Sequence, residues 1–374
     1  MRVLSIIGTR PEAVKMAPVV LALQNTSGVE SLVCATAQHR EMLDQVLALF
    51  GITPDFDLDL MRPSQTLAGI TAAIFTHLDP VLADLRPDWI LAQGDTTTVM
   101  AASLLGYYHR VRVGHVEAGL RTHDKWQPFP EEINRKVAGA IADLHFAPTA
   151  WARDNLLREN VPAENIIITG NTVIDALHLA AAMPYAPATD PLTAIPAEKK
   201  IILVTAHRRE NFGTPLKNVF TALLRLAETY RATHQIVYPV HLNPNVQEPA
   251  RCMLGDVPNI TLLPPLDYLP FVQLMKRCQL VLTDSGGIQE EAPGLGKPVL
   301  VLRDTTERPE GVDAGTVKLV GTQTDTIVTA ARALLDNPNA YRTMAQARNP
   351  YGDGTAAQKI VSALLATQRP PPHA

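Results

Sequence analysis

Residues 88–121, DWILAQGDTTTVMAASLLGYYHRVRVGHVEAGLR, decide how this chain folds. Trp89–Gln93 is a short continuous apolar run, stopped by Gly94. A helical pattern, TTTVMAASLLGYYH, follows, and then a second apolar run, RVGHV. Strand, helix and strand in this order make the unit from which parallel sheets with helical crossovers are built. Such sheets bind ligands outside the carboxyl ends of their strands, so Asp95 and Glu117, each just past a strand, are expected to face one crevice. A third acid, Glu131, sits in PFPEEINR. Clustered carboxylates suit the removal and return of a proton at carbon, one group as base and another as acid. Taken singly, each has a simpler reading as a helix cap; Asp95, for instance, precedes a helix whose first N–H groups need acceptors.

The same alternation runs through the rest of the chain. Strands are expected at VLSIIG, SLVCAT, DWILAQ, RVGHVE and DLHFAP, with helices around 12–23, 40–50, 65–85 and 131–142. Pro184 to Pro196 carries four prolines and little periodicity, and reads as a connection. A second series then starts: KKIILVTAH, QIVYPVH, NITLLPP, QLVLTDS, PVLVLR and VKLVG. The fold class is α/β, with two Rossmann-like, doubly wound parallel-sheet domains facing a central cleft. We place the first at 1–169 and the second at 170–354, and expect a helix within 355–370 to pack back on the first. At 374 residues the chain exceeds one ordinary hydrophobic core.

Composition narrows the function. Apolar residues make up 46% and charged residues 19%, and 33 basic against 37 acidic residues leave a net charge of −4. This argues against non-specific nucleic-acid binding. No apolar run approaches the roughly 18 residues of a membrane helix, and the N-terminal one is short for a signal peptide, so a cytoplasmic protein with no membrane partner is expected. Three cysteines, Cys34, Cys252 and Cys278, share no metal-like spacing and fit reduced thiols.

Two strand-to-helix turns look suited to an anion. In Gly8–Lys15, Arg10 and Lys15 stand beside free N–H groups at a helix start, and Pro11 suits its first position. In Asp284–Glu291, Gly286 and Gly287 let the backbone approach a phosphate, with Arg308 nearby. Either turn alone reads equally as an ordinary connection; one in each half favours a diphosphate. Named nucleotide motifs fail. Gly296-Lys297 runs into Pro298, and the glycine pattern at 352–357 follows no strand, so neither a Walker loop nor an NAD site is expected. His115 lies inside an apolar strand and reads as structural, whereas His207 and His241 end strands. No set of ligands has metal spacing.

The strings GTRPEAVKMAP, TAQHREMLDQV, QGDTTT, GHVEAGLRT, PFPEEINR, TGNTVIDAL, TAHRREN, VYPVHLNPNV, DSGGIQEEAP and GKPVLVLRDTTERPEG together span nearly the whole chain. In them the chain closely resembles the bacterial non-hydrolysing UDP-N-acetylglucosamine 2-epimerases. The resemblance implies a fold like the B-type glycosyltransferases (GT-B), a homodimer, and reversible C2 epimerisation of UDP-GlcNAc to UDP-ManNAc through anti elimination of UDP, a 2-acetamidoglucal and re-addition. It implies no NAD and no tightly bound metal, and a second UDP-GlcNAc as allosteric activator.

By matching motif, the resemblance assigns acid/base and assisting roles to Asp95, Glu117, Glu131, Arg135 and His207, with Glu117 and Glu131 as the better proton carriers. UDP contacts fall on Arg10, Lys15, Phe271, Ser285, Gly286, Gly287, Glu291 and Arg308, with Glu291 at the ribose and Phe271 at the uracil. The activator positions fall on Gln38, Arg209 and His241. The chain departs from the family pattern at Gln93, where His is commoner, and at Leu266, where a polar residue is usual; Glu41 is one of two variants. None of these is expected to touch a proton carrier. A hydrolysing epimerase, a B-type glycosyltransferase and a non-catalytic UDP-sugar sensor remain the alternatives.

Overall fold

The computed structural model describes residues 1–36, 40–60, 65–186 and 191–367. The chain divides into two compact units: Met1–Ala176 together with the chain from Tyr351 onward, and Leu177–Pro350. The division falls inside the helix Thr172–Ala182. Residues before it are tied to the first unit: Asp175 accepts from Ala356 N and Ala357 N at the start of the helix Ala356–Ala366.

Seven strands form the sheet of the first unit: β1 (Arg2–Ile7), β2 (Glu30–Ala35), β3 (Phe56–Asp57), β4 (Trp89–Gln93), β5 (Arg112–Val116), β6 (Leu144–Ala147) and β7 (Ile166–Ile168). All are parallel, in the order β3-β2-β1-β4-β5-β6-β7. The second unit has β8 (Lys200–Thr205), β9 (His234–Pro239), β10 (Ile260–Leu263), β11 (Cys278–Thr283), β12 (Val299–Val301) and β13 (Val317–Leu319). These are also parallel, in the order β10-β9-β8-β11-β12-β13. Both sheets are doubly wound, as the alternation predicts. Their strand order reverses between β1 and β4 in one unit and between β8 and β11 in the other, and these are the places where such sheets take ligands. The short β3 and β7 are additions that sequence patterning did not single out.

Helices cover both faces, so the strands are apolar throughout rather than alternating. In β8, Ile202 and Val204 join a core beneath Phe220 and Leu223 of the helix Thr214–Thr229. Ile201 and Leu203 point the other way, into a core with Val272, Met275 and Val281. In the first unit, Leu4, Ile6 and Ile90 pack against Ile74, Leu78 and Leu82 of the helix Leu67–Leu85. These sheets hold rigid the turns at their carboxyl ends, and the chemically active side chains stand on those turns.

Candidate active site

The first unit gathers its carboxylates where the sequence placed them, past β4 and β5. Glu117 follows β5 with φ at +62°, a left-handed backbone that a non-glycine residue adopts at a cost. Its side chain is buried, 4% exposed, and side-chain donors from Lys15, Asn171 and Gln93 converge on it. Lys15 Nζ reaches both oxygens, at 2.8 and 2.6 Å. Asn171 Nδ2 donates at 3.0 Å, and Gln93 Nε2 also donates. The lysine comes from the helix Arg10–Gln24, the glutamine from the end of β4, and the asparagine from just after β7. A carboxylate held this way is fixed in place with its lone pairs occupied. Removing the lysine alone would strand a buried charge, which costs about 3–5 kcal/mol.

Asp95 does not cap the helix that follows it. Thr96 is the N-cap of Thr97–Tyr108 and accepts from Val99 N, which frees the Asp95 carboxylate to pair with Arg135 Nη2. Arg135 also reaches Glu132 at 3.4 Å, and Asn134 Nδ2 donates to Asp95 O at 2.9 Å. Both partners come from the helix Glu131–Ile141, whose inward face carries Glu132, Asn134, Arg135, Ala138 and Gly139. The two adjacent acids at its start differ sharply. Glu132 is fully buried and accepts from Thr122 N and His123 N, both at 3.1 Å. Glu131 is half-buried, and its carboxylate has no hydrogen bond or ion pair among the described residues. His115, inside β5, is buried with Nε2 on Gly94 O at 2.7 Å; burial holds its pKa down at about 4, so it stays neutral as a structural group.

The turn after β1 differs from its reading as an anion loop. Thr9 caps Arg10–Gln24 in a reciprocal capping box with Glu12. Glu12 Oε2 accepts from Gly8 N at 2.5 Å and from Thr9 N at 3.3 Å. These N–H groups are therefore taken by the chain's own carboxylate and are not free. Arg10 remains on the turn, but Lys15 lies on Glu117 instead of beside it.

The second unit has the opposite character. Buried Asp284, past β11, accepts through Oδ2 from His207 N at 2.9 Å, Arg208 N at 2.8 Å and Asn211 Nδ2 at 3.0 Å, which pins the turn after β8. Its Oδ1 is 3.5 Å from His207 Nδ1. His207 stacks on His241, with ring centroids 5.4 Å apart. Burial lowers the His207 pKa, Asp284 opposes this and His241 reinforces it. The next helix, Gly286–Gly294, begins at Ser285 without a side-chain cap. A methyl group added to Gly286 would lie 3.8 Å from Arg208 Nη2 and 4.0 Å from Arg308 Cζ. Two guanidinium groups thus stand over an uncapped helix start, a combination that receives anions. Arg308 Nε donates to buried Glu290, which orients it. Glu291 is buried on the same helix and accepts from Tyr268 Oη at 3.4 Å. Phe271 is half-buried on the helix Tyr268–Arg277.

The structure therefore joins Asp95 to Arg135, and Glu117 to Lys15, in one unit. In the other it joins His207 to His241, and Gly286 to Arg308. Arg209 is exposed in the turn Arg209–Asn211. Gln38 and the side chain of Glu41 lie outside the described residues. The departure at Gln93 does touch a proposed proton carrier, since its amide binds Glu117; Leu266 packs at the edge of an apolar core. Sequence reasoning gave no role to Asn171, Glu132 and Glu12. The T-x-x-E pattern of Thr9–Glu12 could have flagged the capping box. Among the described residues no group of three His, Cys, Asp or Glu side chains is arranged to hold a metal, and no helix is long and apolar enough to cross a membrane.

A family model described as UDP-N-acetylglucosamine 2-epimerase matches residues 21–365. The chain is 55% identical over 370 residues to the UDP-N-acetylglucosamine 2-epimerase of Salmonella typhimurium, covering 97% of this chain and 98% of that one. The protein of the same name from Bacillus subtilis is 54% identical over 365 residues, covering 98% and 95%. Among solved structures, UDP-GlcNAc 2-epimerase from Neisseria meningitidis bound to UDP-GlcNAc superposes with a TM-score of 0.86, at 50% identity over 98% of this chain and 100% of that one.

Proposed function

The chain belongs to the UDP-N-acetylglucosamine 2-epimerase family and is an isomerase, and from that premise we propose how its side chains carry the reaction. The C2 hydrogen of the sugar has no neighbouring carbonyl and is not acidic in the ground state. Departure of UDP with the C1–O bonding pair gives C1 oxocarbenium character, which acidifies C2. A carboxylate takes the C2 proton from the face opposite the leaving group, leaving a 2-acetamidoglucal and UDP. Returning a proton to the other face of C2, with the UDP oxygen re-forming the bond to C1, yields UDP-ManNAc.

Each unit supplies a different part. Glu131, whose carboxylate has no partner among the described residues, can accept and return a proton without breaking an ion pair there. Glu117 is the second carrier, held by Lys15, Gln93 and Asn171, so that any proton passing to it must displace a donor. Asp95, fixed by Arg135, orients the sugar. In the second unit the Ser285–Gly287 helix start, with Arg208 and Arg308, stabilises the negative charge that grows on the departing diphosphate. Glu291 and Phe271 stand as the ribose and uracil contacts, and Arg10 as a further cation.

One observation carries this reading: one unit holds a set of carboxylates, one of them without a partner among the described residues, and the other holds an uncapped helix start with two guanidinium groups beside it. A glycosyltransferase or a sensor needs the second feature but gives no reason for the first. The chemistry as written requires neither NAD nor metal. The homodimer and the activating second UDP-GlcNAc enter through the family resemblance, with Arg209 and His241 as its described positions. A cytoplasmic setting fits three free thiols.

Incubation with UDP-GlcNAc in deuterated water, followed by NMR, tests the scheme. The expected product is an intact UDP-sugar, epimerised and deuterated at C2. Full retention of the original hydrogen would refute it, free N-acetylmannosamine would indicate hydrolysis, and transfer to an added acceptor would indicate a glycosyltransferase.

A further inference from the structure

From Tyr351 onward the chain is back in the first unit, and it docks on one short stretch there, Thr169–Asp175, just past β7. Asn171 N donates to Tyr351 O at 2.6 Å, and Lys359 Nζ donates to Thr169 O at 3.2 Å. Ala356 N and Ala357 N donate to the Asp175 carboxylate, at 3.2 and 2.9 Å. The two backbones meet at a pair of glycines, Gly170 with φ at +89° and Gly352 with φ at +127°. A Cβ on Gly352 would fall 3.3 Å from Gly170 Cα, and one on Gly170 would fall 3.1 Å from both Gly352 Cα and Tyr351 O. Glycine permits so close an approach at these angles, which gives Gly352 a role that no nucleotide motif supplies. Asn171 stands within the gripped stretch with its amide fixed at both ends. Its Oδ1 accepts from Val173 N at 3.1 Å, which turns Nδ2 toward Glu117 Oε1 at 3.0 Å.

We propose that the returning segment Tyr351–Lys359 is a positioning element for the epimerisation: it grips Thr169–Asp175 and, through Asn171, sets where the Glu117 carboxylate stands. The segment acts through Asn171, not on the sugar nucleotide, and the assignment rests on reading Glu117 as a proton carrier. Position matters to such a group, because displacing it by about 1 Å can cost on the order of 100-fold in rate. Lys15 and Gln93 hold the same carboxylate from the helix Arg10–Gln24 and from β4. The Asn171 contact differs from these in depending on a part of the chain far away in sequence, whose docking the cradle of paired glycines makes exact.

The test is a double-mutant cycle between Gly352→Ala and Asn171→Ala, with kcat and KM for UDP-GlcNAc and calorimetric UDP affinity as readouts. Gly352→Ala forces the two backbones apart by a few tenths of an ångström. It is expected to lower kcat roughly tenfold, with KM and UDP affinity within about threefold of wild type. Asn171→Ala should lose more, roughly 10- to 100-fold in kcat. Because the segment works through Asn171, the double variant should turn over within about twofold of Asn171→Ala alone. Losses that multiply in the double variant would overturn the proposal, and so would an unchanged kcat in Gly352→Ala, the result expected of a purely structural role. Should Gly352→Ala fail to fold, Asp175→Asn, which loosens the hold on Ala356 and Ala357, takes its place in the cycle under the same criteria. Near-normal turnover in Glu117→Gln would refute the catalytic scheme and this inference with it. Multiplying losses beside an inert Glu117→Gln would refute this inference alone.

Discussion

The two sheets reverse their strand order at equivalent places, yet the two switch points carry opposite charge. In both, a buried carboxylate takes a pair of N–H groups from the turn after the central strand: Glu12 from Gly8 and Thr9, Asp284 from His207 and Arg208. They part company on the other side of the reversal. After β4 stands Asp95, paired with Arg135. After β11 stand Ser285, Gly286 and Gly287, with no side-chain cap and with Arg208 and Arg308 overhead. Donors already satisfied inside the protein cannot serve a phosphate, whereas uncapped ones can. Topology supplies the place, and a few side chains decide which sign of charge it holds.

Three experiments break or sharpen this contrast. The largest effect is expected from Glu117→Gln, which removes an acid/base group from the carboxylate unit alone. Turnover should fall roughly a hundred- to ten-thousand-fold, while calorimetry finds UDP affinity within about threefold of wild type. Near-normal turnover would remove Glu117 from the chemistry.

Next is a pair of truncations read by the same calorimetry. Arg308→Ala removes a cation over uncapped N–H groups and should weaken UDP binding about tenfold or more, since charge-assisted hydrogen bonds are worth about 1.5–3 kcal/mol. Arg10→Ala, on a turn whose N–H groups Glu12 already occupies, should cost less, about threefold. The reverse order would mean that the first turn, not the second, holds the diphosphate.

The smallest effect is on stability. The Glu12 carboxyl has a folded pKa of about 7, raised from 4.5. Between these values the folded state holds a proton that the unfolded chain has lost, so this group's contribution to stability declines as pH rises from about 4.5 to about 7. Glu12→Gln does not titrate. Its melting temperature should match that of the wild type near pH 5 and exceed it by a few degrees near pH 8, on the order of 3–6 °C. A constant difference across that range would show that the carboxyl is not ionised by burial-opposed titration there.

Much of the scaffold was legible because apolar strands buried on both faces leave continuous runs, as in KIILVT of β8. The acids past β4 and β5 were legible because turns follow strands. What escaped was the partnering. Glu117 is held by residues 102, 24 and 54 positions away, and no local pattern announces them. Lys15 was read beside a phosphate because its sequence neighbours favoured that, and its contact with Glu117 was out of sight. Glu131 and Glu132 are adjacent and chemically identical on paper. Only the phase of their helix, which turns Glu132 toward Arg135 and leaves Glu131 outside, tells them apart. In the second unit Arg208 and Arg209 present the same ambiguity, resolved by Asp284 gripping the backbone at 208.

The left-handed backbone of Glu117 has a consequence for anyone breeding sturdier variants of this enzyme. Glycine would relieve about 1 kcal/mol or more at that position. It would also take an acceptor from the Lys15 ammonium and from the Gln93 and Asn171 amides, and breaking a buried pair from one side costs about 3–5 kcal/mol. The contorted backbone is thus secured by the side chain it presents, and a screen for heat resistance alone would keep glutamate there.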